Sequence, residues 1–536
     1  MTFFKVTKRR GIIVAIVSFL LTLTTVFGYQ IEHHSEVSMD MFTAMIIILV
    51  FSGTLFFLLF VYNLFDKAKG KNDRYKEFAW WKVYLFVLFC FLVIYAIQFL
   101  AVYPGLFVFD SEWQYSMYVK NEISEHHPVL HTVVFGWIID FVHRQTDAFN
   151  HGVAAYMVLQ IGICTLCISY FVTFLFKKLK SKCSLVLMIL FFGFYPPLVL
   201  AVVSSTKDTL FMAFLLLVVV LTIELLEDSE QFIKKPVKCV LWVISTLLII
   251  ILRNNCIYAI PFFAAALLLY KKKKKLIIGL LFGAVLFLYA LYKMFFVPYF
   301  VTEEVNGKEK YSVPVQQLMR IYHSEEADIT QEERALIERL VDEKARNNYN
   351  PKISDMAKAG LDMEYYRENS AEINKMYISL VLRNFKMSVE SFLENTCGFW
   401  YPGCELTLYM DGTKGYWAVG CYQPAYSNPK IKPLFAFYEL FRDSDFVTKN
   451  PVTSLLFAPA TFFYLFAIMF AYAIDQKKKT YMPVFIFVFA LWGTYLLGPV
   501  ALVRYVIFLY AIVPLYFAMI REREEDTLGV ADAVSE

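Results

Sequence analysis

The stretch GIIVAIVSFLLTLTTVFGY (Gly11–Tyr29) contains no charged residue. About 20 apolar residues are what a helix needs to cross the hydrocarbon core of a bilayer. A second uncharged run, TAMIIILVFSGTLFFLLFVY (Thr43–Tyr62), follows it, and similar runs recur almost to the end of the 536 residues. The sequence therefore predicts an all-α polytopic membrane protein rather than a string of soluble domains.

The apolar runs predict about twelve transmembrane helices. Their approximate limits are 11–29, 41–64, 83–103, 151–176, 184–203, 209–226, 238–252, 256–270, 276–298, 453–473, 481–499 and 501–519. The first run follows KVTKRR (Lys5–Arg10), as a signal peptide would, but no small-residue cleavage site of the A-x-A kind accompanies it. We therefore expect this helix to be retained.

Lysine and arginine predict which side of the membrane each loop occupies, because short cytoplasmic loops are rich in both. If the N-terminus is inside, every inner segment is basic, as in KKLKSK (Lys177–Lys182) and KKKKK (Lys271–Lys275). The short outer connections hold few basic residues. Both termini are therefore expected in the cytoplasm, and residues 104–150 and 301–450 outside the cell membrane.

This topology divides the chain into four parts. They are an N-terminal hairpin with a cytoplasmic loop (1–82), a membrane core carrying the external loop 104–150 (83–300), a mainly helical extracytoplasmic region (301–450), and the last membrane helices with a short tail (451–536). Val129–His143 is apolar but short for a span, which favours a helix lying in the outer interface.

Helical spacing continues in the extracytoplasmic region, over Ile329–Asn348 and Ser370–Thr396. Thr330 and Glu333 form a capping-box pattern at the start of the first helix. The segment from Cys397 to Pro424 favours loops or short strands. Three cysteines lie on this side, Cys397, Cys404 and Cys421, so at most one pair can form among them, and the sequence does not select it.

Several charged residues lie at the predicted outer ends of membrane helices, where an ionisable side chain is by default a functional hypothesis. The segments are SSTKDTLF (Ser204–Phe211), LRNNCIYAIP (Leu252–Pro261), VPVQQLMR (Val313–Arg320) and GPVALVRY (Gly498–Tyr505). One interpretation is that each charge sits in a solvated turn or snorkels to the headgroups. The other is a single anion-binding site. Its candidate substrate-binding residues are Lys207, Asp208, Arg253, Asn254, Gln316, Gln317, Arg320 and Arg504.

The acidic stretch DSEWQYSMYVKNEISEHHP (Asp110–Pro128) begins where an apolar run ends. A carboxylate beside apolar surface can act as a general base, which makes Asp110 and Glu112 candidate catalytic residues. A helix cap is the alternative for Asp110. Gln114, His126 and His127 are candidates for substrate contacts. His127 and His131, four residues apart, could hold a divalent metal with one of the acids.

These motifs together resemble the GT-C superfamily of integral-membrane glycosyltransferases, and within it a bacterial multi-pass family of unassigned activity. The residues that carry the resemblance are, in order, FDSEWQY, HHPVLHT, SSTKDTLF, LRNN, PVQQLMR and VRY. The likeness covers roughly residues 83–519. Two features depart from the common pattern: two membrane helices precede the acidic loop where many members have one, and Asp110 and Glu112 are separated by one residue rather than adjacent.

The resemblance implies a GT-C-like helical bundle and a glycosyltransferase. Its donor would be a sugar on a polyprenyl phosphate, and its acceptor a cell-envelope glycan, a lipid or a protein. Asp110 would deprotonate the acceptor hydroxyl, while cations hold the lipid phosphate. No cofactor is required by this scheme, although a divalent metal is compatible with it. Membrane lipids are expected partners and nucleic acids are not. A polysaccharide polymerase or ligase, or a transporter of lipid-linked substrates, is the alternative.

Overall fold

The computed structural model describes residues 6–69, 78–270, 274–304, 307–404, 427–442, 446–447 and 450–522. Within these residues the chain is helical, and its β pairing is limited to isolated bridges. The prediction of an all-α fold is therefore confirmed.

Up to residue 300 the helices are α1 (Lys8–His34), α2 (Met41–Ala68), α3 (Trp80–Ala101), α4 (Phe109–Lys120), α5 (Val129–Thr146), α6 (Phe149–Leu179), α7 (Lys182–Phe194), α8 (Pro196–Val202), α9 (Lys207–Glu227), α10 (Ser229–Ile233), α11 (Pro236–Leu252), α12 (Cys256–Tyr270), α13 (Lys275–Leu291) and α14 (Val297–Phe300). A π-helical turn, Tyr292–Phe296, joins the last two.

Seven short helices follow and then six more. They are α15 (Ser312–His323), α16 (Gln331–Leu340), α17 (Glu343–Asn347), α18 (Ser354–Ala359), α19 (Met363–Glu368), α20 (Ser370–Arg383), α21 (Phe385–Thr396), α22 (Lys432–Glu439), α23 (Pro451–Phe457), α24 (Pro459–Asp475), α25 (Met482–Tyr495), α26 (Ile507–Ala511) and α27 (Val513–Arg521).

Among the described residues, seven helices are long and apolar enough to cross a membrane, or nine if two bent pairs each count as one. Three further predicted spans correspond to α11, α12 and α25, whose 17, 15 and 14 residues are short for a crossing. Each predicted span thus contains a helix, and a membrane protein is confirmed. The number of crossings stays a prediction.

The two bent pairs, α7–α8 and α23–α24, turn by 60° and 64°. Pro196 and Pro459 begin the second helix of each pair. Proline lacks the N–H of a helical hydrogen bond and drives the preceding residue out of the helical region. Tyr195 and Ala458 accordingly have extended backbones, with ψ of 113° and 123°.

Charged residues near one set of helix ends meet in ion pairs. Arg10, in the first turn of α1, contacts Asp66 of α2 at 2.7 Å and Asp475 of α24 at 2.8 Å. Lys178, near the end of α6, contacts Glu522, just after α27, at 3.2 Å. The lysine pattern assigns all of these helix ends to the same side of the membrane. The opposite ends carry the outer residues considered above.

The region after residue 307 has its own apolar core, formed by residues of α15, α16, α18 and α20. The capping box at α16 is confirmed: the Thr330 hydroxyl accepts from the Glu333 N–H, and the Glu333 carboxylate accepts from the Thr330 N–H. The predicted helix over 329–348 is nevertheless two helices, interrupted after Leu340. The one predicted over 370–396 is likewise divided at Asn384.

The helix predicted over Val129–His143 is present as α5 and is three residues longer than expected. Its place in the outer interface stays a prediction. Pro128 is the N-cap residue of this helix. In the segment expected to be loops or strands, Cys397–Phe399 is a 3₁₀ turn. Cys421 lies outside the described residues.

Candidate functional site

A short backbone contact brings the first turns of α4 and α9 together. The Leu106 N–H donates to the Val203 carbonyl at 2.9 Å, and the Ser205 N–H donates to the Leu106 carbonyl at 3.0 Å. The hydroxyls of Ser111 and Ser205 lie 2.8 Å apart beneath this contact. The N-termini of the two helices are therefore neighbours.

Asp110, the second residue of α4, is held by two cations. Its Oδ2 lies 2.8 Å from Arg504 Nη1 and 3.3 Å from Lys207 Nζ, and its Oδ1 accepts from Arg504 Nη2 at 3.2 Å. Burial alone would raise the pKa of this carboxyl, but the charges of Arg504 and Lys207 hold it well below its ordinary value. Asp110 is therefore ionised, and it is a weak base while both cations contact it.

A second acid–base pair lies beside the first. Arg253, the residue that ends α11, places Nη2 2.6 Å from Oδ1 of the buried Asp208. Its guanidinium lies 4.5 Å from the ring centre of Tyr505 and 5.3 Å from that of Tyr495, in cation–π contact. The Arg253 Nε is buried without a hydrogen-bond acceptor.

These groups surround a cavity of about 390 Å³. Asp110, Lys207, Arg253 and Arg504 line it together with Asn254, Asn255 and residues 497–499. Three more carboxylates line the same cavity: Glu125 from the loop before α5, Glu309, and Asp355 from α18. The cavity thus lies where helices from both the membrane core and the external region end.

The two adjacent histidines line this cavity in different ways. Buried His127 accepts a hydrogen bond at Nδ1 from Lys207 Nζ, 3.0 Å away. Burial and the lysine charge hold the pKa of His127 well below its usual value, so its imidazole is neutral. His126 is more exposed and lies 3.7 Å from a carboxylate oxygen of Glu309. Both histidines therefore line the cavity, and their contact with a substrate stays a prediction.

A buried chain of hydrogen bonds supports the cavity from behind. His131 lies 2.6 Å from the Gln114 amide oxygen and 2.7 Å from the Tyr156 hydroxyl. Tyr156 donates to Gln160, whose amide donates to the carbonyls of Val202 and Ser204 at 3.1 and 2.7 Å. The Gln114 side chain is therefore engaged inside the protein rather than lining the cavity. His131 faces Gln114 and Tyr156 while His127 faces Lys207, so the two histidines do not converge on one metal ion.

Convergence of the four predicted cations is correct for Lys207, Arg253 and Arg504 and wrong for Arg320. Arg320 pairs with Glu394 at 3.0 Å and donates to the Ser35 carbonyl, away from the cavity. Arg320 was predicted at the outer surface because it follows a membrane helix closely in sequence. The sequence does not determine which way α15 faces.

The neighbouring glutamines also have structural partners. Gln316 donates to the carbonyls of Asn350 and Pro351 at 3.0 and 2.9 Å, and Gln317 donates to Ser388 O at 3.1 Å. Neither lines the cavity. The structure therefore does not bring these two glutamines to the cavity that Lys207, Arg253 and Arg504 line.

Two acidic candidates occupy positions different from the expected ones. Glu112 is exposed on α4 and does not line the cavity, because two residues along a helix point to different faces. Asp208 is buried and faces Arg253 and, at 3.9 Å, Arg504 Nε. Asp208 therefore orients the cations instead of lining the cavity itself.

Sequence reasoning missed the contributions of Glu125, Glu309, Asp355 and Tyr495. Of the two tyrosines that contact Arg253, Tyr505 could be recognised because it directly follows Arg504 in the VRY motif. Tyr495 belongs to no motif. Asp355 reaches the cavity because the Ser354 N–H donates to the Pro499 carbonyl at 2.9 Å, a pairing between segments far apart in sequence. No local pattern indicates such a contact.

The cavity and its helices define an all-helical membrane protein with a charged site where helix ends from distant parts of the chain meet. The chain belongs to a family of unknown function, DUF6020, whose profile matches residues 118–530 and so about three quarters of its length. The match includes Lys207, Arg253 and Arg504 and begins after Asp110. No curated protein matches the chain. No solved structure matches it.

Proposed function

We propose that the protein transfers a sugar from a polyprenyl-phosphate donor to an acceptor of the cell envelope, on the extracytoplasmic side. The observation that carries this proposal is the convergence of Lys207, Arg253 and Arg504 on one cavity that also contains Asp110. These cations come from the start of α9, the C-cap position of α11 and the 3₁₀ turn Val503–Val506 that precedes α26. Arginine forks and a lysine point charge are the side chains that bind phosphate best.

The cations of the site can receive an anionic group. Lys207, Arg253 and Arg504 face the carboxylates of Asp110 and Asp208, while the other carboxylates of the lining pair with lysines: Glu125 with Lys293, and Glu309 and Asp355 with Lys358. One phosphodiester has a single negative charge. Arg253, which lines the same cavity, offers it further N–H donors. A donor phosphate bound here would contact the same nitrogen atoms that hold Asp110.

This competition gives Asp110 a mechanism for becoming a base. When the donor phosphate draws Arg504 and Lys207 toward itself, the carboxylate loses the charges that keep its pKa low, so its pKa rises. Asp110 then accepts the proton of the acceptor hydroxyl. The acceptor oxygen bonds to the anomeric carbon as the bond from that carbon to the phosphate oxygen breaks. The cations stabilise the charge that develops on the departing phosphate.

The same proposal includes twelve membrane helices in a GT-C-like bundle, with both termini in the cytoplasm. It is supported by the two sets of helix ends: those with the basic segments pair through Arg10 and Lys178, and the opposite set forms the cavity. A donor anchored in the bilayer would reach the cavity from the side, at the membrane surface.

A polymerase or ligase of lipid-linked oligosaccharides would use the same cations and differ in its acceptor. A transporter is less well supported. The two bent helix pairs resemble the broken helices of transporters, but they are broken at Tyr195–Pro196 and Ala458–Pro459, where there is no charged residue. The charged groups of the cavity are instead at helix ends.

Removal of the protein from its cells tests this function. A strain without it should accumulate a lipid-linked sugar and lack the same sugar in its envelope. Both changes should be reversed by the wild-type gene and not by a gene encoding Arg504→Gln at equal protein level. Unchanged lipid-linked sugars and an unchanged envelope would exclude the proposed transfer.

A further inference from the structure

Two thiols lie side by side in the external region, outside the cavity. After α21 the chain turns twice: the Tyr401 N–H donates to the Cys397 carbonyl at 2.9 Å, and the Cys404 N–H donates to the Tyr401 carbonyl at 3.1 Å. These turns return Cys404 to Cys397. The sulfur atoms of both and a carboxylate oxygen of Glu32 all lie within 4.8 Å of one another.

The thiol pair is buried between α1 and the external region. Cys397 is 0% and Cys404 8% exposed. Glu32, in the last turn of α1, pairs with Lys352 Nζ at 2.6 Å. Tyr401 packs on Gly28, where an added Cβ would come within 2.4 Å of its ring. The turn is therefore fixed against the membrane helix, and its two sulfur atoms are held together.

We infer that Cys397 and Cys404 form a disulfide bond in the mature protein. The topology places them outside the cytoplasm, where disulfides form and persist. The oxidant is the disulfide of an exported thiol–disulfide oxidoreductase. One cysteine thiolate attacks it to give a mixed disulfide, and the second displaces the reduced oxidoreductase, so two thiols of the chain are oxidised and two of the partner are formed. This exchange precedes final packing, because Cys397 is buried in the folded chain.

The disulfide fits the surroundings better than a metal ion does. A divalent cation held by both thiolates would also need the Glu32 carboxylate, but Lys352 already neutralises that group and places its own positive charge beside the site. With the sulfur atoms in a neutral disulfide, Glu32 and Lys352 remain a balanced ion pair. No group is then left with an uncompensated charge.

The bond would support the wall of the candidate active site. Gly398 lies against Ala501, where an added Cβ would be 2.9 Å from the alanine Cβ, and Asn395 donates to the Gly498 carbonyl at 3.2 Å. Gly498 lines the cavity, and Arg504 follows a few residues later. This inference depends on the topology and not on the transfer reaction, so either can fail without the other.

Peptide mapping tests the bond in the wild-type protein. Membranes are denatured in one alkylating reagent with a chelator present, then reduced and treated with a second, isotopically distinct reagent. Trypsin yields one peptide, 387–414, that contains both Cys397 and Cys404, and a separate one, 415–430, that contains Cys421. We expect both cysteines of peptide 387–414 to carry the second label, and the unreduced peptide to be lighter by two hydrogen atoms. First-reagent label on both cysteines, as free or metal-bound thiols would give, or a link to Cys421, would overturn the inference.

Thermal unfolding provides a second test. Reductant should lower the Tm of the wild type by roughly 2–5 °C and leave that of Cys397→Ser/Cys404→Ser unchanged. Either single substitution should lower the Tm by as much as the double substitution does, since each removes the same bond. The matched control is Cys164→Ala/Cys167→Ala in α6, which should retain the full response to reductant. Equal responses of wild type and Cys397→Ser/Cys404→Ser would contradict the bond.

Discussion

At the scale of single residues, Asp110 is the carboxylate on which the proposed chemistry depends. Asp110→Asn keeps the shape of the side chain and removes its charge and basicity. We expect transfer to fall by about 10²–10⁴-fold, the usual contribution of a general base. Donor affinity should be unchanged or stronger, because Arg504 and Lys207 no longer contact a competing carboxylate. Transfer and donor binding are measured separately in membranes, with protein level checked by blot.

Glu112→Gln is the control for this substitution. It removes an acid from the same turn of α4, but from a side chain that is exposed and outside the cavity. Transfer by this variant should be nearly normal. Near-normal transfer by a well-expressed Asp110→Asn protein would remove Asp110 from the mechanism, and the cavity acid Asp355 would be the next candidate for the base.

The arginines of the chain allow a second comparison. Arg504→Lys keeps a positive charge and loses the planar fork that contacts Asp110 through two nitrogen atoms. We expect a loss of about 10- to 100-fold in kcat/KM for the donor, equivalent to roughly 1.4–2.8 kcal/mol. Arg320→Lys, made in the residue that pairs with Glu394 outside the cavity, should change it little. Equal effects of the two would mean that the cavity does not bind the donor.

His127 gives a prediction about pH. Its folded-state pKa lies well below the ordinary value, because burial and Lys207 disfavour its charged form. The unfolded chain therefore gains a proton near pH 6.5 that the folded chain does not. The free energy of unfolding must then fall as pH decreases below that value, by up to about 1.4 kcal/mol per pH unit. His127→Gln should reduce the loss of Tm between pH 7 and 5, and His151→Gln, at an exposed position, should not. An unchanged pH dependence in His127→Gln would contradict a neutral buried imidazole.

Some residues of the site could be predicted from the sequence because basic side chains are rare at the predicted outer ends of the apolar helices. Lys207, Arg253 and Arg504 are charged residues at the ends of apolar helices, and such positions are recognisable without a structure. Arg320 is also a charged residue close to a membrane helix, but it does not line the cavity. The direction in which α15 faces depends on tertiary packing, which the sequence pattern does not give. Asp355 carried no local signal at all, because it reaches the cavity through a backbone contact with Pro499.

At the scale of elements, α16 offers a test of the sequence pattern itself. The capping box at Thr330 and Glu333 satisfies two N–H groups at the start of this external helix. Thr330→Ala should lower the free energy of unfolding by about 1 kcal/mol. Transfer at low temperature should be unaffected, because the helix does not line the cavity. Measuring the free energy of unfolding and the transfer rate separates a local stabilising role of Thr330 from a role in the site. A loss of transfer without a loss of stability would contradict the stabilising role.

The elements also show where sequence patterns stop being informative. The apolar runs and the capping box have local causes, and the corresponding helices are present. The breaks at Asn384 and after Leu340 are absent from the pattern, since helical spacing continues through both. Helix α4 was not predicted, because half of its 12 residues are polar. The contact of Leu106 with Val203 and Ser205 positions it.

At the scale of the whole molecule, the decisive prediction is the side on which the cavity lies. The lysine pattern predicts that it lies outside the cell membrane. Single cysteines introduced at Glu122 and Arg339, both exposed, should react with a membrane-impermeant maleimide in intact cells. A cysteine at Lys275, also exposed, should react only after permeabilisation. These variants are made in a chain without other reactive cysteines and with normal transfer, so that each reports the native fold. Labelling of the Lys275 position in intact cells would place the cavity in the cytoplasm, where neither an extracytoplasmic transfer nor an oxidised Cys397–Cys404 pair could be maintained.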